Sequence, residues 1–341
     1  MSTGGLVRVL VAAVAVECAI ALVARTAAAT AILSGTGRQS DVVAVTGLLW
    51  VAVLAIVALL VSRRLVAQGR YLAAAEAPRQ RLDAITDRTE AVLAAPTSMQ
   101  AALQPIVDLT SGRWVAVEAL ARFPDDGPPE RWFGDAHEAG VGLRLECLAF
   151  ETACRVLTQL PPGVRLSVNA SPALLLDPSF HDLLARLGPD RARLLVEVTE
   201  HAAVTEYEEI RAALAPHRAL GLRLAVDDTG AGYASFAHVL RLRPEVIKLD
   251  RSLLADIDAD AARRAFVTAI VLMALELGAS VTAEGVETEA ELETLRSLGV
   301  DAVQGYLLAE PSTRPDVWDS WAARDWLARS VDVTGSARLT V

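Results

Sequence analysis

The sequence predicts an α/β barrel carried behind an N-terminal membrane segment, on three observations. Strand-like and helix-like patterns alternate over about 230 residues from Ala101 onward, the signature of strands closed into a barrel and wrapped by helices. Acidic or amide residues recur where those strands end: Glu118, Asn169, Glu197 with Glu200, Asp227 with Asp228, Asp250, Glu284 with Glu287, and Gln304. Val42 to Val61 is a charge-free apolar run long enough to cross a bilayer as one helix. A doubly wound open sheet is the structural alternative, but neither a GxGxxG nor a P-loop is present to nominate a nucleotide crevice.

The chain has 341 residues, of which 53% are hydrophobic, a mean hydropathy of +0.36 and a formal net charge of −10. Such hydropathy is high for a soluble protein and asks for a membrane portion first. The negative balance lacks the basic footprint that duplex nucleic acid needs, so no duplex partner is expected. Cys18 lies in an apolar run, while Cys147 and Cys154 fall one heptad apart; they read as buried thiols in a reducing compartment. With no CxxC or HExxH and five dispersed histidines, a zinc site has little support.

Residues 1–64 read as a membrane anchor. Val42 to Val61 is the strong span and is followed at once by Ser62-Arg63-Arg64. The earlier run, about 9–33, is alanine-rich and carries Glu17, which costs ~3 kcal/mol at mid-membrane. Two readings are open for it: a second, weaker span, or a signal peptide with Arg8 before it and Ala27-Ala28-Ala29 near its end. Under either, Arg63, Arg64 and Arg70 place the end of the second span inside, so an inner (cytoplasmic) membrane protein with a cytosolic C-terminal part is expected.

Residues 65–78 read as a linker helix that Pro78 should kink or stop. A second helix from about Arg79 to Ala95 carries Leu82, Ile85, Thr89, Val92 and Leu93 on one side, suited to packing against a domain. Neither sustains heptads for long, so a homodimer formed through this segment stands as a hypothesis. The barrel domain occupies residues 79–328, and 329–341 form a tail. Its strands are expected at Leu103 to Leu109, Trp114 to Ala121, Arg165 to Ala170, Leu194 to Thr199, Leu222 to Asp227, Val246 to Leu249, Ser280 to Ala283 and Ala302 to Leu307. Between them run amphipathic stretches such as Leu145 to Gln159, Glu206 to Leu220, Ala261 to Leu277 and Glu289 to Leu298.

Carboxylates delivered from successive strands to one end of a barrel repel each other and raise one another's pKa values unless a cation sits among them. Oxygen ligands without Cys or His neighbours point to a hard ion, Mg²⁺ or Mn²⁺. Scattered surface acids explain any one of these residues but not the repeated placement of the set.

Gln104-Pro105-Ile106-Val107, then Glu118-Ala119-Leu120 and Arg122, resemble the opening of an EAL domain, the cyclic di-GMP phosphodiesterase family. The resemblance continues in family order through Asn169-Ala170-Ser171, Glu197-Val198-Thr199-Glu200, Asp227-Asp228-Thr229-Gly230, Lys248-Leu249-Asp250, Ala283-Glu284-Gly285-Val286-Glu287 and Gln304-Gly305-Tyr306. It implies a modified (β/α)8, TIM-like barrel that hydrolyses one phosphodiester bond of cyclic di-GMP to linear pGpG with two Mg²⁺ or Mn²⁺ ions. By that resemblance Glu118, Asn169, Glu197 and Asp227 bind a first metal, and Asp228 with Asp250 help to hold a second. Lys248 orients the attacking water and screens charge on phosphorus. Two roles are open for Glu284, a direct or water-mediated metal contact and a proton acceptor, while Gln304 positions water or metal. Arg122 meets a substrate phosphate, Gln104 lies near a guanine edge, and Glu287 joins the substrate-binding set.

Glu200 resembles the acid that braces the loop after Asp228, where Gly230 and Gly232 supply backbone freedom. Thr229 stands where the family usually has an aromatic residue, and Phe123 to Gly142 departs from the commoner pattern. The alternative function is a receptor that binds cyclic di-GMP and signals occupancy without cutting it. Every ligand position is filled here, which favours the enzyme.

Overall fold

The computed structural model describes residues 37–125, 127–198, 207–229, 233–322, 324 and 326–327, with isolated positions between 17 and 28. The chain divides into two compact units, Met1–Asp83 and Ala84–Val341. Most of the earlier apolar run, including Cys18, and the whole 329–341 tail lie outside the described residues, as does Glu200.

One helix, α1 (Gly37–Ala94), runs 58 residues. Its segment Gly47–Gln68 spans 22 residues at a mean hydropathy of 2.2 with none of its surface buried, and is the one helix among the described residues long and apolar enough to cross a bilayer. Of the two outcomes expected at Pro78, a kink or a stop, the stop does not occur, because α1 continues through it. A proline inside a helix removes one hydrogen bond and bends it more readily than it ends it. Here strong helix formers, Leu72 to Glu76 and Ala77, precede it.

Within the second unit, the last turns of α1 bury Ile85, Thr89 and Val92, three of the residues expected on the packing face. The helices they meet are α2 (Pro129–Glu138) and α3 (Gly142–Cys154). Val92 shares an apolar cluster with Phe123, Trp132, Ala136, Leu145 and Leu148. Arg88 lies 4.2 Å from the Trp132 ring centre and donates to Asp135 at 2.7 Å, and Arg144 pairs with Glu90.

Eight strands close a barrel in chain order. They are β1 (Gln100–Asp108), β2 (Trp114–Arg122), β3 (Arg165–Ala170), β4 (Leu194–Val198), β5 (Arg223–Thr229), β6 (Val246–Leu249), β7 (Ser280–Ala283) and β8 (Ala302–Val303). β1 is antiparallel to both β2 and β8, and every other neighbouring pair is parallel, so one strand of an otherwise parallel barrel is reversed. The reversal follows from the short β1–β2 connection: Asp108 accepts hydrogen bonds from the Ser111 backbone N–H and hydroxyl, and Gly112 takes φ +67°. So tight a turn can only return the chain antiparallel.

Around the barrel, after β3, run α4 (Pro172–Leu176), α5 (Pro178–Arg186), α6 (Tyr207–Arg218), α7 (Tyr233–Leu242), α8 (Arg251–Leu254), α9 (Ala261–Leu277), α10 (Glu289–Ser297) and α11 (Pro315–Trp321). Side chains alternate between the faces of a strand. Leu166 and Val168, Leu194, Val196 and Val198, Leu224 and Val226, and Ile247 and Leu249 therefore join the large apolar cluster beneath the helices. The opposite parity fills the barrel. Leu195, Ala225 and Val246 form one apolar plug, and Ile106, Ala116 and Ala302 form another.

β8 is shorter than expected, ending at Val303 rather than Leu307. The chain there turns against the segment after β7: a Cβ on Gly305 would stand 2.1 Å from the Val286 carbonyl oxygen, so only glycine fits. Of the cysteines, Cys154 is buried and its thiol is pushed up to about 12, by burial and then by Glu151, while Cys147 is partly buried with its Sγ 3.3 Å from the Ser179 hydroxyl.

Candidate active site

Above the apolar plugs, the same inward parity delivers Glu118 from β2, Ser167 and Asn169 from β3, Glu197 from β4, Asp227 from β5, Lys248 from β6 and Thr282 from β7. Glu284 and Gln304 follow directly on β7 and β8. Backbone bonds fix both, since Glu284 N–H donates to Leu249 O at 3.0 Å and Gln304 N–H to Ala283 O at 2.8 Å. Glu118 is not at the end of its strand, unlike the others. β2 pairs with β3 only over Ala116–Ala119, so its upper half rises with β1 above the rim and Glu118 still stands at the mouth.

Lys248, 1% exposed, is the centre of this layer. Its Nζ lies 2.7 Å from Glu197 Oε2, 3.3 Å from Asp227 Oδ1 and 3.7 Å from Glu118 Oε2, and it pairs with Glu284 Oε1. Buried acids are tolerated only when compensated, and one ammonium serves four of them. Burial pulls the Lys248 pKa down, but Asp227, Glu118, Glu197 and Glu284 together hold it well above the ordinary range. Burial pushes Glu197 up to about 8, opposed by Lys248 and reinforced by Glu118 and Asp227. Glu284 is likewise raised well above a normal carboxylate, by burial first, against the pull of Lys248.

Amides and hydroxyls orient the acids. Asn169 Nδ2 donates to Glu118 Oε1 at 3.2 Å, and Gln304 Nε2 donates to Glu118 Oε2 at 2.7 Å and to Gln104 Oε1 at 2.8 Å. Gln104, 6% exposed, spends its own Nε2 on Ala309 O at 2.9 Å. The Ser167 hydroxyl donates to Glu197 Oε1. Sequence reasoning missed Ser167, although it lies two residues before Asn169 on the same strand face and its parity was readable.

The remaining expected residues are placed differently. Arg122, half-buried at the end of β2, donates from Nη1 to Ala121 O at 2.9 Å. Asp250 accepts from Ser252 N–H at 2.8 Å as the N-cap of α8, and no described contact ties it to the Lys248 cluster. Glu287 is exposed and engaged by both Nη atoms of Arg251. Asp228 lies in β5, and its side chain is outside the described residues. Buried Thr229, in place of the family's aromatic, has a hydroxyl with no hydrogen-bond partner among the described residues.

Among the described residues, no three His, Cys, Asp or Glu side chains stand gathered as a ready metal cage. The donor set nevertheless fits a hard cation. Gln304 Oε1 is a buried oxygen without a hydrogen bond in this layer, and Glu197 Oε2, Asp227 Oδ1 and Glu284 Oε1 have no partner beyond the one Lys248 ammonium they share. Such oxygens, carrying more negative charge than Lys248 balances, match Mg²⁺ or Mn²⁺ rather than zinc.

The family model of the EAL domain matches residues 90–311, and the chain belongs to that family. The chain is 36% identical over 221 residues to the cyclic di-GMP phosphodiesterase NbdA of Pseudomonas aeruginosa, covering 61% of this chain and 28% of that protein. Similarity to the bifunctional diguanylate cyclase/cyclic di-GMP phosphodiesterase MucR of the same organism is 32% over 221 residues, 61% of this chain and 32% of that one. The chain thus spans about a third or less of the length of these relatives. Among solved structures, the calcium/cy-diGMP complex of Klebsiella pneumoniae BlrP1 is 34% identical with a TM-score of 0.58, covering 64% of this chain and 57% of that one. A manganese/cy-diGMP complex of the same protein aligns at 34% identity and TM-score 0.57, covering 63% and 56%.

Proposed function

We propose that this protein hydrolyses cyclic di-GMP to linear pGpG at the cytoplasmic face of a membrane. The observation that carries the reading is the Lys248 layer: four inward acids, from β2, β4, β5 and the segment after β7, share one ammonium whose single charge cannot balance them. Relatives that are named as cyclic di-GMP phosphodiesterases, or were solved with cy-diGMP and a divalent ion, support it. The apolar Gly47–Gln68 segment of α1, followed in sequence by Arg70, supports the membrane placement.

Glu118, Asn169, Glu197 and Asp227 would hold one divalent Mg²⁺ or Mn²⁺, and Asp228 with Asp250 would help to hold a second. When bound, such ions polarise phosphoryl oxygens and make hydroxide available near neutral pH. The chain's own residues do the rest. Lys248 places a fixed positive charge beside the point where negative charge grows on the phosphoryl group. Glu284, beside Lys248 at the end of β7, is the carboxylate placed to accept a proton from an incoming water. Gln304, held by Gln104, turns its Oε1 into the layer to orient that water. Arg122 has guanidinium N–H groups beyond the one given to Ala121 with which to fork onto a phosphate.

The test is incubation of the full chain in detergent with cyclic di-GMP and Mg²⁺ or Mn²⁺, beside Glu118→Ala protein. Chromatography should show pGpG from the first and none from the variant. Intact nucleotide bound by both, with no product under either metal, would establish the receptor instead. Ca²⁺, with its longer and looser coordination, should support binding better than turnover.

A further inference from the structure

We infer that Ser167 is a positioning residue that ties down one oxygen of Glu197 and turns the other into the Lys248 layer, and thereby sets which divalent cation the site prefers; the inference rests on the phosphodiesterase reading above. Ser167 is fully buried on β3, in register with Glu118 of β2 and Leu195 of β4. Strand alternation sends its side chain into the barrel, one layer below Asn169. Glu197 sits two residues above Leu195 on the neighbouring strand and is also fully buried. Two inward side chains offset by one layer on adjacent strands are placed to touch.

A hydroxyl has one hydrogen to give. Ser167 Oγ has two acceptors in reach, Leu195 O at 3.4 Å and Glu197 Oε1 much closer, so the hydrogen goes to the carboxylate. Oε1 is therefore held down in the barrel interior, and Oε2 is turned into the layer, where its one partner is Lys248 Nζ, 2.7 Å away.

A carboxylate tied at one oxygen offers a cation one ligand atom. That suits Mg²⁺ and Mn²⁺, which take compact octahedral shells. Ca²⁺ accepts more oxygens at longer distances and readily takes both atoms of one carboxylate, an option that the Ser167 hydroxyl closes at Glu197. Deleting the hydroxyl frees Oε1 and should loosen discrimination against Ca²⁺. A merely structural role for Ser167 would instead weaken both metals together.

The experiment measures Mn²⁺ and Ca²⁺ binding to the full chain in detergent by titration calorimetry, without nucleotide, for wild type, Ser167→Ala and Ser167→Cys, with thermal unfolding in EDTA as the check on folding. Metal partners behind the direct ligands typically govern about 10- to 100-fold in affinity. Ser167→Ala should therefore weaken Mn²⁺ about 10-fold while Ca²⁺ holds or tightens, and Ser167→Cys, which keeps the volume but donates poorly, should fall between. An unchanged Ca²⁺-to-Mn²⁺ preference in Ser167→Ala overturns the inference, and Ser167→Cys decides in the same way if the alanine variant does not fold. Wild-type protein that binds Mn²⁺ no better than Glu197→Gln protein overturns the metal-site reading itself, which is a separate result.

Discussion

Replacing Lys248 by Met asks how far one buried ammonium holds the barrel mouth together. At an effective dielectric of about 20, its pairs at 2.7, 3.3 and 3.7 Å correspond to gross attractions of about 6, 5 and 4 kcal/mol. Desolvation of every group and repulsion among the acids offset most of that sum. Removing one partner of such a buried network typically costs about 3–5 kcal/mol, because the remaining charges stay uncompensated. For a domain of this size that is a drop of about 10 °C in Tm. The assay is thermal unfolding of the full chain in detergent with EDTA at pH 8, followed by tryptophan fluorescence. Trp114, Trp132, Trp318, Trp321 and Trp326 are all buried in the second unit and report on it.

The pH dependence has a definite sign. In the variant Glu197 and Glu284 lose the ammonium that pulls their pKa values down, so burial and the neighbouring acids drive them higher. A carboxylate whose folded pKa exceeds its unfolded one binds protons better in the native state. Its contribution is fully favourable below about 4.5 and is lost as pH rises through about 8 and beyond. The deficit of Lys248→Met should thus be largest at pH 8, shrink toward pH 5, and narrow again at pH 8 on adding Mn²⁺. A Tm within about 2 °C of wild type at pH 8, or a gap unchanged at pH 5, would refute this account of the layer.

Gly305→Ala should cost at least about 1–3 kcal/mol and lower the rate of pGpG formation together. The added Cβ meets the Val286 carbonyl oxygen at 2.1 Å and its nitrogen at 2.3 Å, both backbone atoms that cannot swing aside, and Gln304 is next in the chain. Unfolding and turnover measured on one preparation check it. His217→Gln should make the protein less sensitive to acid between pH 7 and pH 5. Burial lowers the His217 pKa, helped by His181, whose ring stacks on it with Nδ1 3.1 Å from His217 Nε2, and by Arg191. The unfolded chain then binds the proton more readily, so stability falls as pH drops through about 6.5, and a pH series of Tm values reads the difference. Thr288→Ala removes a reciprocal cap in which Thr288 accepts from Glu291 N–H while Glu291 accepts from Thr288 N–H, and should cost about 1 kcal/mol by the same unfolding assay.

Much of the barrel was legible because short apolar runs carry a polar residue at alternate positions. In Arg165–Ala170 and Val246–Leu249 the strand bounds were read from the sequence alone, and the inward Ser167, Asn169 and Lys248 have the parity opposite to Leu166, Val168, Ile247 and Leu249. The reversal of β1 carries no such signal, since hydropathy does not encode strand direction. At Pro78 the sequence left a kink and a stop both open, and the strong helix formers before it favour the continuous α1 that is found. In the site, residue types pointed to the acids, but not to Lys248 sitting among four of them. The two amide ends of Gln104 are taken by Gln304 and Ala309, about 200 residues away in the sequence, contacts that no local pattern signals.

The Lys248 layer links folding to chemistry through a single imbalance. A barrel mouth filled with hydrophobic residues of like volume would cost nothing in desolvation, and buried ion clusters are weak contributors to stability for that reason. Here the imbalance is deep: Glu197 is fully buried with a pKa pushed up to about 8, and its own Oε2 shares the one ammonium with oxygens of Glu118, Asp227 and Glu284. Lys248 relieves enough of it for the chain to fold. It cannot relieve all of it, because one charge faces four acids. What remains is a standing affinity for further positive charge, located where a phosphodiester would have to be polarised. A substitution that made the layer neutral and well packed should therefore raise stability and lower metal affinity together. Glu197→Gln should move both in those directions, and a variant more stable in EDTA yet unimpaired in Mn²⁺ binding would break the link.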